Sequence, residues 1–328
     1  MGEFNNVKTI LKKLKLFYKK IIMKKIFKFI ILVISFNASA QEMSNNMVVA
    51  KEDNRKGNGY YTSYSVALQN LNDVKKLEIQ KEDSDLFLNS QTYFPNLNDL
   101  VINFSKKVYK SRDFENFNNL ETIVISYSWN LTKLPDNFTS LKSLKKVFIY
   151  NCGLIDLNEN FFSNLNIKSV GICGNHISKL PPIPLNNNIQ YLNIGYNPIS
   201  KLPTSFENLK ELKTLSLKGT DFESFPSEIL KLIKIEDLEL SKTRISNIPI
   251  DLIKLKNLSN LYLVGLNIRK IPSSLRESKL VNVWISDENL SKKEKNNIIK
   301  SLPKKCNIYW TSNHNQMLDI NKKCFCER

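Results

Sequence analysis

Glycine is scarce in this chain: nine residues of 328, alongside two histidines and five cysteines. So few glycines supply no Gly-rich loop able to cradle a phosphate. His176 and His314 have no Cys, His or carboxylate at metal-ligand spacing beside them, so neither a metal site nor any other cofactor is expected. Five cysteines are too few for a small disulfide scaffold. After residue 40 no apolar run reaches the roughly 20 residues that span a bilayer. What the chain does contain, 42% hydrophobic residues at a mean hydropathy of −0.29, excludes wholesale disorder and a multi-span membrane protein. The length alone allows two ordinary domains of about 100–200 residues.

The net charge of +17, from 48 basic and 31 acidic side chains, suggests a nucleic-acid binder until the charge is located. Met23-Lys24-Lys25 leads into the apolar run 26–36 and then Ala38-Ser39-Ala40, the pattern of a secretory signal cut after Ala40. The run is short for a transmembrane helix and carries Lys28, so no membrane-integral protein is expected after cleavage. Residues 1–22, Lys-rich and amphipathic, read as an extension upstream of a natural start at Met23. Nine lysines and one glutamate fall within residues 1–40, which leaves +9 on residues 41–328. Export past the inner membrane also removes access to intracellular nucleic acid, so no nucleic-acid partner is expected. The expected location is the medium or the cell envelope, periplasm or outer surface. The style of signal and the Lys/Asn/Ile-rich composition point to a bacterial source. No Cys follows the cleavage site, so a lipoprotein anchor is not expected.

From Val74 onward one period governs the chain. Units begin at Val74, Leu97, Leu120, Leu144, Ile167, Ile189, Leu212, Ile235, Leu258 and Leu280, spaced 22 to 24 residues apart. Each has apolar residues at unit positions one, four and six, as in Leu212/Leu215/Leu217, and a further one at position eleven, such as Phe222. Position nine holds Cys152, Asn175, Asn197, Thr220 or Thr243, and Leu266 departs from the pattern. A Leu-Pro step or a variant recurs in the second half, from Leu134-Pro135 to Ile271-Pro272. This pattern resembles the leucine-rich repeat family, L-x-x-L-x-L-x-x-N/C-x-L in units of 20–29 residues, over residues 74–302. The resemblance implies an α/β solenoid, the leucine-rich repeat horseshoe, with a parallel sheet on the concave face. It also implies a non-catalytic recognition scaffold.

Elementary chemistry predicts the same architecture. Positions four and six have strand periodicity and point to one face. A small polar side chain at position nine can bond backbone groups left unpaired in the turn after the strand. Proline on the return path blocks an α-helix and favours a 3-10 or extended convex segment. One unit cannot bury its own apolar edge, so units must stack.

The expected organisation is therefore a leader and signal over 1–40, a flexible segment over 41–59, a capping helix within 60–73, ten repeats over 74–302, and a C-terminal cap and tail over 303–328. Val66, Ala67, Leu68 and Leu71 have helical spacing for the N-terminal cap, with Thr62 or Ser63 as N-cap. Cys306 and Ile308 are expected to face inward in an eleventh partial unit.

No catalytic constellation emerges. Cys173 and His176 lie three apart across a strand-to-turn junction, a poor basis for a nucleophile and base. Cys152 reads as a buried ladder residue. Cys324 or Cys326 can close a disulfide onto Cys306 in an oxidising compartment, and an odd count of five leaves at least one thiol. The run Leu180-Pro181-Pro182-Ile183-Pro184 is similar to bacterial effector ubiquitin ligases, but those use shorter units and a large catalytic domain, for which residues 311–328 leave no room.

Function is then expected on the outward strand positions two, three, five, seven and eight. In the fifth unit these include Lys168, Ser169, Gly171, Cys173 and Gly174. Gly171 and Gly174 predict a low strip bordered by Phe148 and Tyr150 on one side and Tyr191 and Tyr196 on the other, with Tyr127 nearby. Aromatic rows two strands apart would be roughly 10 Å apart, room for a side chain, an extended peptide or a sugar ring. Tyr262 and Trp284, neighbours at position five, form a second candidate. Lys133, Lys179, Lys201 and Lys270 precede the Leu-Pro step and predict a solvated basic stripe on one flank. The leading expectation is a protein partner held on the concave face. A glycan or envelope polymer stacked on the aromatic slot is the alternative, and a recognition subunit of an enzyme complex is a remote one. The oligomeric state is not legible in the sequence.

Overall fold

The computed structural model describes residues 57–312, except 91, 111–113, 115, 136–137 and 139–140. The leader, the signal and the Cys324-x-Cys326 pair lie outside the described residues. Among the described residues twelve strands form one sheet in strict sequence order, and every neighbouring pair is parallel. They are β1 (Tyr60–Tyr61), β2 (Lys76–Gln80), β3 (Asp99–Asn103), β4 (Thr122–Ser126), β5 (Lys146–Tyr150) and β6 (Ser169–Gly171). The second half comprises β7 (Tyr191–Asn193), β8 (Thr214–Ser216), β9 (Asp237–Glu239), β10 (Asn260–Leu263), β11 (Asn282–Ile285) and β12 (Asn307–Trp310). A parallel sheet needs a crossover between strands, and the second half of each repeat supplies it. The fold is the leucine-rich repeat solenoid.

Positions four and six stack into two internal columns. Leu77, Leu100, Ile123, Val147, Val170, Leu192, Leu215, Leu238, Leu261 and Val283 make the first, all fully buried. Behind them the N-terminal half packs on phenylalanines: Phe87 lies 5.6 Å from Phe117, and Phe114 lies 5.9 Å from Phe138. The C-terminal half replaces them with Phe206, Ile229, Leu252 and Leu275, each buried at the centre of a 3-10 turn.

Those turns begin where the Leu-Pro steps predict. Pro203, Pro226, Pro249 and Pro272 sit just before Thr204–Asn208, Ser227–Lys231, Ile250–Lys254 and Ser273–Glu277. The proline carbonyl accepts from the amide three residues on, for example Phe206 N–H to Pro203 O at 2.8 Å. Its missing N–H costs nothing at this position. Asparagines ahead of several strands tie their unit to the one before, as in Asn119 Nδ2 to Pro95 O at 2.7 Å and Asn188 Nδ2 to Leu165 O at 2.9 Å. They account for part of the asparagine-rich composition.

The ends differ from expectation in three ways. The N-terminal cap is β1 followed by α1 (Tyr64–Leu68), which buries Tyr64 and Ala67 and leaves Leu68 and Leu71 exposed. Tyr61, fully buried, holds β1 against β2, and the Ser63 side chain makes no cap bond. Two convex segments are α-helical: α2 (Glu82–Ser90) and α3 (Lys292–Ser301). Neither contains proline; α2 has Glu82, Asp83 and Asp85 in its first turn, where acids favour a helix start. In β12 the inward pair is Ile308 and Trp310, paired with Val283 and Ile285, so Cys306 precedes the strand. Cys306 carries a free thiol, and the bridge weighed for it is not made.

Candidate functional site

Position nine performs the backbone duty its chemistry suggests. Asn197 Nδ2 donates to the carbonyls of Ile172 (2.9 Å), Ile194 (3.0 Å) and Gly195 (3.1 Å), and its Oδ1 accepts from Ile177 N–H at 3.0 Å. Asn175 repeats the arrangement on Ile149, Ile172 and Cys173. Cys152 donates weakly to Tyr150 O, and burial pushes its thiol up to about 12. Thr220 and Thr243 bond the carbonyls of Leu217 and Leu240. Ser105 and Ser128 extend the row toward the N-terminus, with Ser128 Oγ accepting from Ser105 N–H. All are structural.

Position eight is a left-handed turn in each unit from Lys81 to Gly265, with φ between 50° and 77° at Lys81, Phe104, Tyr127, Asn151, Gly174, Tyr196, Gly219, Lys242 and Gly265. Gly174 therefore answers a backbone requirement. A β-carbon there would also lie 2.1 Å from Asn151 Oδ1. Tyr127 and Tyr196 belong to this turn row. Tyr127 stacks on Phe104 with centroids 4.9 Å apart, and Tyr196 lies under Lys242, whose Nζ is 3.1 Å from its hydroxyl.

The strip over Gly171 is occupied by its own neighbours. Phe148 stands 5.7 Å from Tyr150 and 6.3 Å from Tyr191, centroid to centroid. A β-carbon on Gly171 would meet the Tyr150 hydroxyl at 2.7 Å and Phe148 Cδ1 at 2.8 Å. The glycine lets the rings close over the strand, so the expected 10 Å gap is narrowed from within. Beside it Cys173 is fully buried and disulfide-bonded, and the His176 side chain is exposed. Cys173 therefore offers no thiolate to pair with His176.

The C-terminal strands build a different surface. Tyr262, Trp284 and Tyr309 occupy one column in register across β10, β11 and β12. Tyr262 and Trp284 stack at 4.1 Å and 7°, and Trp284 and Tyr309 at 4.9 Å and 11°. Strands about 4.8 Å apart impose that spacing on rings standing up from the sheet. Two residues earlier runs a parallel row of amides. Asn307 Nδ2 donates to Asn282 Oδ1 (3.0 Å), Asn282 Nδ2 to Asn260 Oδ1 (2.8 Å), and Asn260 Nδ2 to the Asp237 carboxylate (2.5 Å). Thr214 Oγ1 closes the row on Asp237 at 3.2 Å. Burial first, then the nearby charges of Asp237 and Glu239, raises the Tyr262 phenol well above its ordinary value. It therefore stays neutral. Sequence reading found Tyr262 and Trp284 but missed Tyr309 and the amide row, because placing Cys306 and Ile308 inward framed the last unit two residues early; strand pairing sets Asn307 in register with Asn282 and Asn260.

The basic stripe is exposed as expected at Lys133, Lys179, Lys201 and Lys270, and Lys133 pairs with Asp156 at 3.7 Å. Such an exposed pair contributes at most about 1 kcal/mol. Among the described residues no cluster of three or more His, Cys, Asp or Glu could hold a metal ion, and no helix is long and apolar enough to cross a membrane.

A leucine-rich repeat family model matches residues 165–222, the units with the two ladder asparagines. No curated protein sequence matches the chain. Among solved structures the chain is similar to a leucine-rich repeat protein of Leptospira interrogans, with TM-score 0.58 at 19% identity over 76% of this chain and 69% of that one. An internalin of Listeria monocytogenes gives TM-score 0.54 at 15% identity, covering 76% and 73%. Drosophila Toll, solved in complex with Spätzle, gives 0.55 at 17% identity and covers 72% of this chain but 36% of that one. At these identities the likeness is one of fold.

Proposed function

Because the chain is a leucine-rich repeat solenoid, a scaffold typical of protein-binding proteins, we propose that it is a non-catalytic recognition protein that holds a protein partner against the outward face of β10–β12. The observation that carries this reading is the Tyr262–Trp284–Tyr309 stack beside the Asp237–Asn260–Asn282–Asn307 row. Stacked aromatic rings offer large, stiff contact area at low entropy cost, the composition of interface hot spots. The amides beside them are held in place by each other and can meet a partner's backbone groups.

The stack also discriminates between a protein and a sugar. Faces turned toward one another within the stack are covered, and Tyr262 keeps only 8% of its surface exposed, so Trp284 and Tyr309 supply most of what a partner can touch. A pyranose ring stacks on an exposed aromatic face, whereas a protein surface packs against edges. This geometry favours the protein partner over the glycan. The leader over residues 1–40 supports placing that partner in the cell envelope or the medium.

A pull-down and a glycan array, both with residues 41–328, separate the two. Retention of a specific protein with no glycan signal is the expected result. Selective glycan binding, or sustained turnover of a substrate, would overturn the proposal.

A further inference from the structure

Among the described residues β12 is the last strand of the sheet, and no strand pairs with its outer edge. Along the ladder the amides of inward residues donate to the strand that follows. Examples are Ile194 N–H to Ser216 O and Leu240 N–H to Tyr262 O, both at 3.0 Å. In β12 and just beyond it, Asn307 N–H and Thr311 N–H turn back to Val281 O at 2.8 Å and Ile285 O at 3.2 Å. The amides of Ile308 and Trp310 therefore point away from β11, and no group among the described residues accepts from them. We propose that the partner adds an extended segment to β12 as a thirteenth parallel strand, a mode of binding that rests on the recognition reading above.

Two side-chain features stop at the same edge. The amide row has a direction, each Nδ2 donating to the Oδ1 of the strand before it. Asn307 Oδ1 ends that row, exposed, as an acceptor to which the described residues supply no donor. The inward Ile308 and Trp310 are only partly buried, whereas Val283 and Ile285, their partners on β11, are fully buried. An unpaired strand edge is a template for a further strand, with main-chain bonds giving affinity and alternate side chains giving specificity.

The edge also sets the incoming sequence. It calls for an amide or hydroxyl donor opposite Asn307, an aromatic ring opposite Tyr309, and apolar residues opposite Ile308 and Trp310. The strand β11 already satisfies that rule on β10, where Asn282 donates to Asn260 and Trp284 stacks on Tyr262. A second copy of this chain does not satisfy it. In the register of the sheet its β1 would place Tyr60 opposite Asn307. The Tyr60 N–H is bonded to Gly57 O at 3.1 Å, and its hydroxyl donates to Glu78.

The probe is a synthetic peptide with the sequence of residues 280–287, flanked by lysines for solubility. It is added to protein of residues 41–328, and amide exchange is followed residue by residue by NMR. Ile308 and Trp310 should exchange freely without peptide and about tenfold or more slowly with saturating peptide. The same peptide N-methylated at its Asn and Trp lacks the two donors that would meet Cys306 O and Ile308 O. It should give no slowing. Ile308 and Trp310 already slow without peptide, no slowing up to the peptide's solubility limit, or equal slowing by the N-methylated peptide would each overturn the proposal. So would protection that tracks dimerisation of the protein alone. Capture of a partner is a separate measurement on the Tyr262–Trp284 pair, so failure at the edge is distinguishable from failure of the recognition proposal.

Discussion

Individual side chains in this solenoid serve the backbone before they serve any ligand. Asn197 satisfies four buried backbone groups, and Thr243 Oγ1 satisfies the carbonyl of Leu240. A buried polar group left unpaired costs about 1–3 kcal/mol. Asn197→Ala should therefore lower stability by about 3 kcal/mol and Thr243→Ala by about 1 kcal/mol, measured by urea unfolding. The position-eight turn gives a prediction of opposite signs. Gly174→Ala forces a β-carbon into a left-handed residue against Asn151 and should cost about 2 kcal/mol. Lys81→Gly, at φ 54°, removes strain and should leave stability unchanged or raise it by up to about 1 kcal/mol. This row was not legible in the sequence. Phe104, Tyr127 and Tyr196 occupy it as readily as glycine does, so composition conceals a backbone rule. Gly171 and Gly174 consequently read as one empty strip, when one admits its neighbours' rings and the other bends the chain.

Among the elements, the strands of the ten repeats were legible, β1 and the register of β12 were not, and the convex segments were legible only in part. Period two in a 23-residue frame has one solution, and the steps ending at Pro203, Pro226, Pro249 and Pro272 announce 3-10 turns, whereas none follows Leu180-Pro181. The α-helices lack that marker. α3 did carry a readable start in Ser291-Lys292-Lys293-Glu294, and the structure forms both bonds of that capping box. The last coil is held by Asp287, which accepts from Lys295 Nζ at 2.5 Å and from Ser312 N–H at 2.9 Å. Burial would raise the Asp287 carboxyl, but the hydrogen bonds from Lys295 and Ser312 outweigh it and bring it down to about 2. A carboxyl depressed on folding stabilises the fold above its unfolded value, near 4, and loses that contribution as pH falls through about 2. Stability should therefore decline between about pH 4 and pH 2 through this group. Asp287→Asn should be less stable at pH 7 and show a shallower acid limb, followed by circular dichroism across pH. An identical acid limb in both proteins would remove Asp287 from the account.

For the molecule as a whole, ten units and two caps make one continuous sheet, and recognition becomes a question of which stretch of that sheet is presented. The sequence located both aromatic groups but could not rank them, because ranking depends on where rings lean. Phe148, Tyr150 and Tyr191 converge over Gly171, whereas Tyr262, Trp284 and Tyr309 stand in file across the last three strands. Almost half of the net charge that suggested nucleic acid sits in the first forty residues. The most direct test compares partner capture by wild type, Tyr262→Ala/Trp284→Ala and Phe148→Ala/Tyr191→Ala, each first shown to unfold at the same urea concentration. Loss of a hot-spot cluster worth at least 2 kcal/mol weakens binding about thirtyfold. The account predicts that loss for Tyr262→Ala/Trp284→Ala, with capture retained by Phe148→Ala/Tyr191→Ala. Undiminished capture by the first variant would contradict it.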